Sequence, residues 1–456
     1  MHIMNRITAA RGRLKCGMQL SRAIAFGLLL FLAVACVGAY GRGGQPEDFQ
    51  KSERSYESPR IARLAQDLLV GVPRALENFW NEMNGKAPLI ETIPNDPEYR
   101  WITFLWRGDR STRELIIFGD IPSKDNIGSK PRRLLETDLW FRTARIPKDS
   151  RFGYAFQVNG GPIQVDPLNP RSFASRSVAE LPDAPPQTWI ADQPDISKGN
   201  RTQHALFSRI LNEDRAFAVY TPPKYSRQGK PCGLLIVFDG ESYGYSDHSA
   251  IQTPTIIDNL LAADQIHPLV AVLLNSQKTR TRDLVCSPQF AEFLADELVP
   301  WVRECYNVSD DPMDTIVAGS SYGGLCAAFV AWKYPTVFGN VLSQSGSFRY
   351  FPGQKQDVLP YNEQTGWLTR QYVATPGLNI RFYLQVGKFE APLIAEHRRF
   401  RDVLEAKGCF CSYSELSGGH DYLTWRGSFP DGLIALAGLK DSRTLVHRGR
   451  ARILRR

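Results

Sequence analysis

The spacing of hydrophobic residues changes near residue 206 of this chain. Upstream of it, short runs alternate apolar and polar positions, a period of two that predicts strands with one buried face. These runs lie at 101–106, 114–118, 139–141 and 152–158. We therefore predict a small β-sandwich over residues 76–178, followed by a proline-rich linker at 179–205.

Residues 206–440 combine continuous apolar runs with helical patterns such as the one at 290–303. The apolar runs lie at 217–220, 233–238, 269–274, 315–318, 341–343 and 381–386. Apolar strands that alternate with helices indicate a mainly parallel sheet covered on both faces. Ligands of such sheets bind beyond the carboxyl ends of the strands, so the functional site is expected there.

The two ends of the chain differ from these segments. Basic residues precede an apolar stretch at 23–37 that ends in small residues, which predicts an export signal over residues 1–38. The stretch is shorter than the ~20 residues of a spanning helix, so we predict cleavage and a periplasmic location. A lipid anchor at Cys36 and a cytoplasmic location are the alternatives. Residues 39–75 are expected to form a polar leader, and residues 441–456 a basic tail.

Composition is that of a large folded protein. The 456 residues exceed one ordinary domain, and 43% of them are hydrophobic, which permits sizeable cores. The formal charge of +8 partly reflects the basic ends and does not indicate a nucleic-acid partner. Cys409 and Cys411 lack a second close Cys or His pair, so no metal site is predicted. The cysteines downstream of the signal permit disulfides without fixing a pairing.

Gly319-Ser320-Ser321-Tyr322-Gly323 joins the apolar run at 315–318 to a helical run at 325–333. A sharp strand-to-helix turn lifts the hydroxyl of its central serine above the sheet, and flanking glycines relieve the crowding. This setting is typical of a nucleophile, and we assign that role to Ser321.

A nucleophilic serine needs a general base with a pKa near neutrality and an acid that orients the base. His420 follows the strand predicted at 411–416, and two glycines before it let the loop bend back. Glu390 is the first carboxylate after the run at 381–386, whereas Asp421 is too close to His420 in sequence to be preferred. The order serine, acid, histidine is that of α/β-hydrolases.

The amides that would hold an oxyanion can also be predicted. In this class one amide follows the nucleophile, here Tyr322, and the other belongs to the loop after an early strand. That loop contains Gly240 and Glu241, either of which is the expected second donor. Asp239 is expected to fix its own loop.

Several ordered motifs together resemble the enterochelin (enterobactin) esterase family, whose members open ferric trilactone siderophores by ester hydrolysis. The likeness extends over about residues 79–436. The matching motifs are Thr-Phe-Leu-Trp-Arg at 103–107, Thr-Asp-Leu-Trp at 137–140, Asp-Pro-Leu-Asn at 166–169, Asp-Gly-Glu at 239–241, Arg280 before Asp283-Leu284, Val-Ala-Gly-Ser-Ser-Tyr-Gly-Gly-Leu at 317–325, Leu-Ser-Gln-Ser-Gly-Ser at 342–347, and Gly-Gly-His-Asp at 418–421 before Trp425-Arg426-Gly427. The predicted export signal is similar to that of periplasmic members.

This resemblance implies an early-set-like β-sandwich ahead of an α/β-hydrolase domain of the esterase-D-like group. It implies Ser321 as nucleophile, His420 as base and Glu390 as acid. No cofactor is implied, since iron arrives only as part of the substrate. No membrane span is predicted in the mature protein, and the sequence leaves protein partners open.

The implied substrate, a ferric catecholate siderophore, is anionic, so its site needs fixed cations and flat aromatic surfaces. The expected cations are Arg280, Arg282, Arg349 and Arg426. The expected walls around the substrate are Trp106, Arg107, Tyr322 and Trp425.

Two other functions fit parts of this pattern. A general carboxylesterase of the same group, acting on feruloyl or other acyl esters, would prefer simple aryl esters to a cyclic trilactone. A non-catalytic periplasmic protein would bind a ferric siderophore without turnover. The presence of Ser321, Glu390 and His420 together argues against the second alternative.

Overall fold

The computed structural model of the protein describes residues 56–121, 130–353 and 365–439. The predicted export signal, Cys36, the first part of the predicted leader and the basic tail lie outside these residues. Within the described ranges, no helix has the length and apolar character needed to cross a membrane.

Helices α1 (Pro59–Leu69) and α2 (Ala75–Met83) precede the sandwich and pack on it. The hydroxyl of Ser58 accepts a hydrogen bond from the amide of Ile61, which caps the first turn of α1. Leu64 and Phe79 are buried in one cluster with Phe141 of the sandwich. The folded part therefore begins upstream of residue 76, because α1, which lies within the predicted leader, has a buried apolar face.

The strands of the sandwich are β1 (Leu89–Thr92), β2 (Tyr99–Arg107), β3 (Leu115–Phe118), β4 (Arg132–Arg133), β5 (Leu139–Pro147), β6 (Arg151–Val158), β7 (Ile163–Gln164), β8 (Ser172–Phe173) and β9 (Arg176–Glu180). One sheet has the order β1-β2-β5-β4, and the facing sheet has the order β3-β6-β9-β8, with β7 also paired to β6. Phe104, Phe152 and Phe156 are buried between the sheets. The predicted sandwich is thus confirmed.

The hairpin of β8 and β9 extends the sandwich past its predicted end at residue 178 and into the predicted linker. β9 pairs with β6, with Arg151 opposite Glu180. The turn residues Ala174 and Ser175 have φ angles of 47° and 63°, which usually favour Gly, Asn or Asp. Since no such residue marks this turn, the hairpin was not predicted.

The second part of the chain forms a sheet with the strands β10 (Asn200–Ser208), β11 (Glu213–Thr221), β12 (Gly233–Val237), β13 (Leu269–Leu274), β14 (Thr315–Ser320), β15 (Asn340–Gln344), β16 (Arg381–Gly387) and β17 (Cys411–Leu416). Their order is β10-β11-β13-β12-β14-β15-β16-β17. β10 and β11 are antiparallel, and the pairs from β13 to β17 are parallel. This is the mainly parallel sheet predicted, although β10 begins within the predicted linker.

Helices cover both faces of this sheet. They are α3 (Thr253–Ala262), α4 (Arg280–Leu284), α5 (Pro288–Glu292), α6 (Val299–Cys305), α7 (Tyr322–Lys333), α8 (Trp367–Ala374), α9 (Ala391–Ala406) and α10 (Tyr422–Ala437). Val317 of β14 faces the core that contains Phe329 of α7, while its neighbour Ile316 faces the core that contains Leu433 of α10. Each cysteine in the described ranges is a free thiol.

The sandwich packs against the loops that leave the carboxyl ends of the last strands. The amide of Arg151 donates to the carbonyl of Ser417 at 3.1 Å, and the ring of Phe152 lies edge-on to Phe389 at 5.5 Å. The amide of Gly153 donates to the carboxylate of Asp421 at 2.9 Å. The sandwich therefore contacts the segments that carry Glu390 and His420.

Candidate active site

Ser321 lies in the turn between β14 and α7. Its φ of 57° and ψ of −120° are unfavourable for a residue with a side chain. The turn is held because the amide of Ser321 donates to the Gln344 carbonyl at 2.9 Å, and its carbonyl accepts from the amide of Ser347 at 3.1 Å. A Cβ atom on Gly319 would lie 2.7 Å from the backbone of Gly323, so the first glycine of the motif is required by a close approach.

Glu390 and His420 follow the neighbouring strands β16 and β17, which brings them together. His420 Nδ1 lies 2.5 Å from Glu390 Oε2. The carboxylate of Glu390 is buried, at 4% exposure, and its Oε1 accepts hydrogen bonds from the Gly387 amide and the Ser345 hydroxyl, both at 2.7 Å. Because Nδ1 is engaged, Nε2 is the imidazole nitrogen that remains for proton transfer.

Ser345 and Trp425 extend this hydrogen-bonded chain. The indole Nε1 of Trp425 donates to the hydroxyl of Ser345 at 2.9 Å, and its ring lies edge-on to His420 with centroids 4.9 Å apart. Trp425 was predicted as a binding residue, whereas Ser345 was not predicted at all. Its place directly after β15, at the same sheet edge as the predicted acid, was the available signal.

The carboxylates around His420 favour its protonated form. Burial of the imidazole disfavours the cation, but the hydrogen bond to Glu390 and the charges of Glu390, Asp120 and Asp421 outweigh it. The pKa of His420 is therefore raised above its ordinary value. An imidazolium formed during a reaction would be stabilised by the same groups.

Asp120, in the loop after β3 of the sandwich, is a site residue that the sequence did not indicate. Its carboxylate accepts a hydrogen bond from the amide of His420, and a Cβ atom on Gly419 would lie 2.5 Å from its side chain. The contact joins residues 300 positions apart, so no local pattern marks it. The sandwich thus helps to fix the loop that presents His420.

The variant Asp120→Asn is expected to move the acid limb of kcat/KM to lower pH. A general base must be neutral, so activity rises with pH through the pKa of His420. Asparagine keeps an oxygen for the His420 amide but removes a charge that raises this pKa, while kcat/KM at pH 8 should change by less than about threefold. Asp195→Asn, which neutralises an exposed turn carboxylate, should leave the profile unchanged. An acid limb unmoved in Asp120→Asn would contradict the electrostatic role.

The predicted oxyanion donors differ in their availability. Tyr322 is the first residue of α7, so its amide lies at the N-terminus of that helix. The amide of Gly240 instead donates to the carbonyl of Leu274 at 2.8 Å. The prediction that the Gly240 amide holds the oxyanion is therefore corrected, since this hydrogen bond ties the amide to the sheet. Glu241 is left as the expected second donor.

Ser321 and His420 line the same cavity, with a volume of about 350 Å³. The other lining residues are Gly153, Phe173, Ala174, Arg176, Arg280, Ser320, Asp421, Tyr422, Leu423 and Trp425. The structure thus places Arg280 and Trp425 beside the proposed nucleophile. It also adds the β8–β9 hairpin of the sandwich, which was not predicted as part of the site.

Arg280 is held at the cavity wall by a buried carboxylate. Its Nε and one terminal nitrogen donate to the two oxygens of Asp239, each at 2.7 Å, and the hydroxyl of Ser276 donates to Asp239 at 2.6 Å. Asp239 therefore positions Arg280 as well as its own loop. The guanidinium also lies over the ring of Tyr322, 5.7 Å from its centroid. Arg280 is thus a cation at the cavity wall, and the carboxylate of Asp239 balances most of its charge.

Arg426 does not line this cavity, although it lies close by. Its Nε donates to Gln187 at 2.7 Å, its guanidinium stacks on Phe173 at 4.2 Å, and it lines a neighbouring cavity of about 270 Å³. Burial lowers the pKa of Arg426. Its contacts make it a support for Phe173.

The remaining predicted binding residues also lie outside the described walls of the cavity. Arg107 pairs with Asp138 at 2.8 Å, and Trp106 packs on Phe156 within the sandwich at 5.2 Å. Arg282 pairs with Glu213 at 2.5 Å. Arg349 follows β15 at half-buried exposure, and the Tyr322 ring lies under Arg280. Sequence shows such charges and rings but not the partners that hold them away from a site.

Comparison with known proteins identifies the class. Residues 208–436 match the model of the esterase family described as "Putative esterase". Since the match covers half of the chain, the chain belongs to this family, and it is a carboxylic ester hydrolase.

Individual relatives extend the similarity to the sandwich. The iron(III) salmochelin esterase of Escherichia coli O6:H1 is 26% identical over 411 residues, which cover 83% of this chain and 98% of the relative. The iron(III) enterobactin esterase of Dickeya dadantii is 28% identical over 429 residues, with 80% and 94% covered. The enterobactin esterase of Shigella flexneri, crystallised in the presence of enterobactin, superposes with a TM-score of 0.63 at 25% identity and covers 79% of this chain and 97% of its own. The resemblance noted in the sequence and the predicted fold are both confirmed.

Proposed function

We propose that this chain hydrolyses the ester bonds of a trilactone catecholate siderophore that carries iron(III). The observation that carries the proposal is the cavity at Ser321, which joins the His420–Glu390 pair to arginine side chains and aromatic rings. Cations and flat rings are what an anionic ferric catecholate requires. The names of the relatives, which are similar over nearly their whole length, support the same substrate class.

In this proposal Ser321, His420 and Glu390 act as a catalytic triad. Nε2 of His420 takes the proton of Ser321 as the serine oxygen attacks the carbonyl carbon of one ester. The amides of Tyr322 and Glu241 stabilise the negative oxygen of the tetrahedral intermediate. His420 then gives the proton to the leaving hydroxyl group, while Glu390 holds the imidazole and stabilises its charged form.

The acyl-enzyme is released by water. His420 takes a proton from the water as its oxygen attacks the acyl carbon, and the proton returns to Ser321 when the ester to the enzyme breaks. The product is a linear ligand, which is less preorganised around iron than the ring was. Iron belongs to the substrate, and the proposed steps use no resident metal or cofactor.

We also propose that the protein is exported and acts in the periplasm, where it would meet the siderophore before transport across the inner membrane. The support is the pattern of basic and then apolar residues at 1–38, which ends in small residues.

Chromatographic product analysis tests the proposed substrate. Mature protein and its Ser321→Ala variant are incubated with ferric and with iron-free enterobactin. Linear dihydroxybenzoylserine species are expected with the unmodified protein and not with the variant. If both leave the trilactone intact while the unmodified protein cleaves simple aryl esters, the function is that of a general carboxylesterase. Tight binding of the ferric ligand with no ester cleavage would indicate a binding protein.

A further inference from the structure

The β8–β9 hairpin brings side chains of the sandwich to the cavity of Ser321. Phe173 of β8 and Arg176 of β9 are directly opposite each other in the hairpin, and both line the cavity. Phe173 is half-buried and lies against the guanidinium of Arg426. The hairpin therefore presents a braced aromatic ring and a cation side by side, next to the proposed nucleophile.

Arg176 differs from Arg280 and Arg426 in that no hydrogen bond or ion pair within the described part of the chain holds its guanidinium. Arg280 is bound by both oxygens of Asp239, and the half-buried Arg426 donates to Gln187 and lies over the ring of Phe173. Arg176 is exposed, and within residues 56–121, 130–353 and 365–439 it forms no ion pair. Its charge is thus available to a ligand in the cavity.

Gly153 sets the path of the Arg176 side chain. A Cβ atom on Gly153 would lie 3.1 Å from Cδ of Arg176, so the missing side chain leaves room for the arginine stem to cross β6. The carboxylate of Asp421 lies 3.7 Å from the same Cβ position and accepts hydrogen bonds from the Gly153 and Thr424 amides, both at 2.9 Å. The arginine stem thus passes over Gly153 at the cavity that both residues line, and the carboxylate of Asp421 is occupied by backbone donors.

We propose that Arg176 is a specificity-determining residue of the esterase, selecting esters that carry negative charge, with the ring of Phe173 as the flat surface beside it. A guanidinium suits this role because it makes paired hydrogen bonds to anionic oxygens and is always charged. The inference deepens the proposed function, since a ferric catecholate is one such substrate, but it applies to any anionic ester that enters the cavity.

Steady-state kinetics on charged and neutral substrates test this role. The protein is compared with Arg176→Gln and Arg176→Lys on ferric enterobactin, iron-free enterobactin, the butyrate ester of para-hydroxybenzenesulfonate and its neutral sulfonamide analogue. Arg176→Gln should raise KM about tenfold for the two anionic substrates, ferric enterobactin and the sulfonate ester. The kcat values, and the KM values of the two uncharged substrates, should stay within about twofold. Arg176→Lys should recover part of the loss. The difference between the protein and Arg176→Gln should shrink as ionic strength rises.

The matched control is Arg171→Gln, which removes the same charge from the same segment. Arg171 is exposed, pairs with Glu180 at 3.0 Å and does not line the cavity. The KM values of the Arg171→Gln variant should therefore equal those of the unmodified protein. Equal losses on anionic and neutral esters, or an unchanged KM for both anions in Arg176→Gln, would overturn the proposal. The sulfonate and sulfonamide esters report on Arg176 even if the protein leaves enterobactin intact. That outcome would overturn the proposed siderophore substrate and not the role of Arg176.

Discussion

Replacing Ser321 with alanine is expected to lower kcat/KM by on the order of 10⁴-fold or more, because no nucleophile remains for His420 to activate. The small remaining rate would come from substrate binding and the oxyanion amides. The melting temperature should stay within about 2 °C, since alanine keeps a Cβ atom in the same backbone conformation. Initial rates on an aryl ester and a thermal melt of each protein measure both effects.

The neighbouring serine and a glycine variant serve as controls. Ser320 also lines the cavity but is 1% exposed and belongs to β14, so Ser320→Ala should keep activity within about tenfold. Ser321→Gly should be as inactive as Ser321→Ala yet more stable by about 1 kcal/mol, because glycine tolerates the φ of 57° without strain. If Ser321→Ala retained most of the activity and Ser320→Ala lost it, the nucleophile would have been assigned to the wrong serine.

The residues proposed as the triad could be predicted because each one follows a strand that its own local sequence reveals. Ser321 and Glu390 follow the apolar runs that form β14 and β16, and His420 follows the alternating pattern that forms β17. Parallel strands in one sheet end at the same edge, so recognising the strands was enough to expect these side chains near one another. The turn glycines reinforced the pattern at Ser321 and His420.

The contribution of the sandwich to the site could not be predicted in this way. Asp120 lies in a loop, and Phe173 and Arg176 lie beside the turn of the β8–β9 hairpin, so their positions depend on how the sandwich packs on the last loops of the hydrolase sheet. That packing is set by contacts between segments hundreds of residues apart. The sequence motifs instead predicted Arg107 as a binding residue, whereas in the structure Arg107 pairs with Asp138.

Glu390→Gln is expected to lower kcat by about 10²- to 10⁴-fold with a smaller effect on KM. An amide of the same size cannot stabilise the imidazolium of His420 and favours the wrong tautomer of the ring. Loss of the carboxylate also removes groups that raise the pKa of His420, so the acid limb of the activity should move to lower pH. Rate measurements on an aryl ester across pH test both changes.

Asp421→Asn is the matched comparison, because this carboxylate lies next to His420 in sequence but serves the backbone. It caps α10 through the Thr424 amide and accepts a hydrogen bond from Gly153, and asparagine can keep an acceptor oxygen for these donors. We expect a loss of up to about 1 kcal/mol in stability and less than tenfold in kcat. If Asp421→Asn lost far more activity than Glu390→Gln, Asp421 would be the orienting acid, and the hydrogen bond between Glu390 and His420 would be structural.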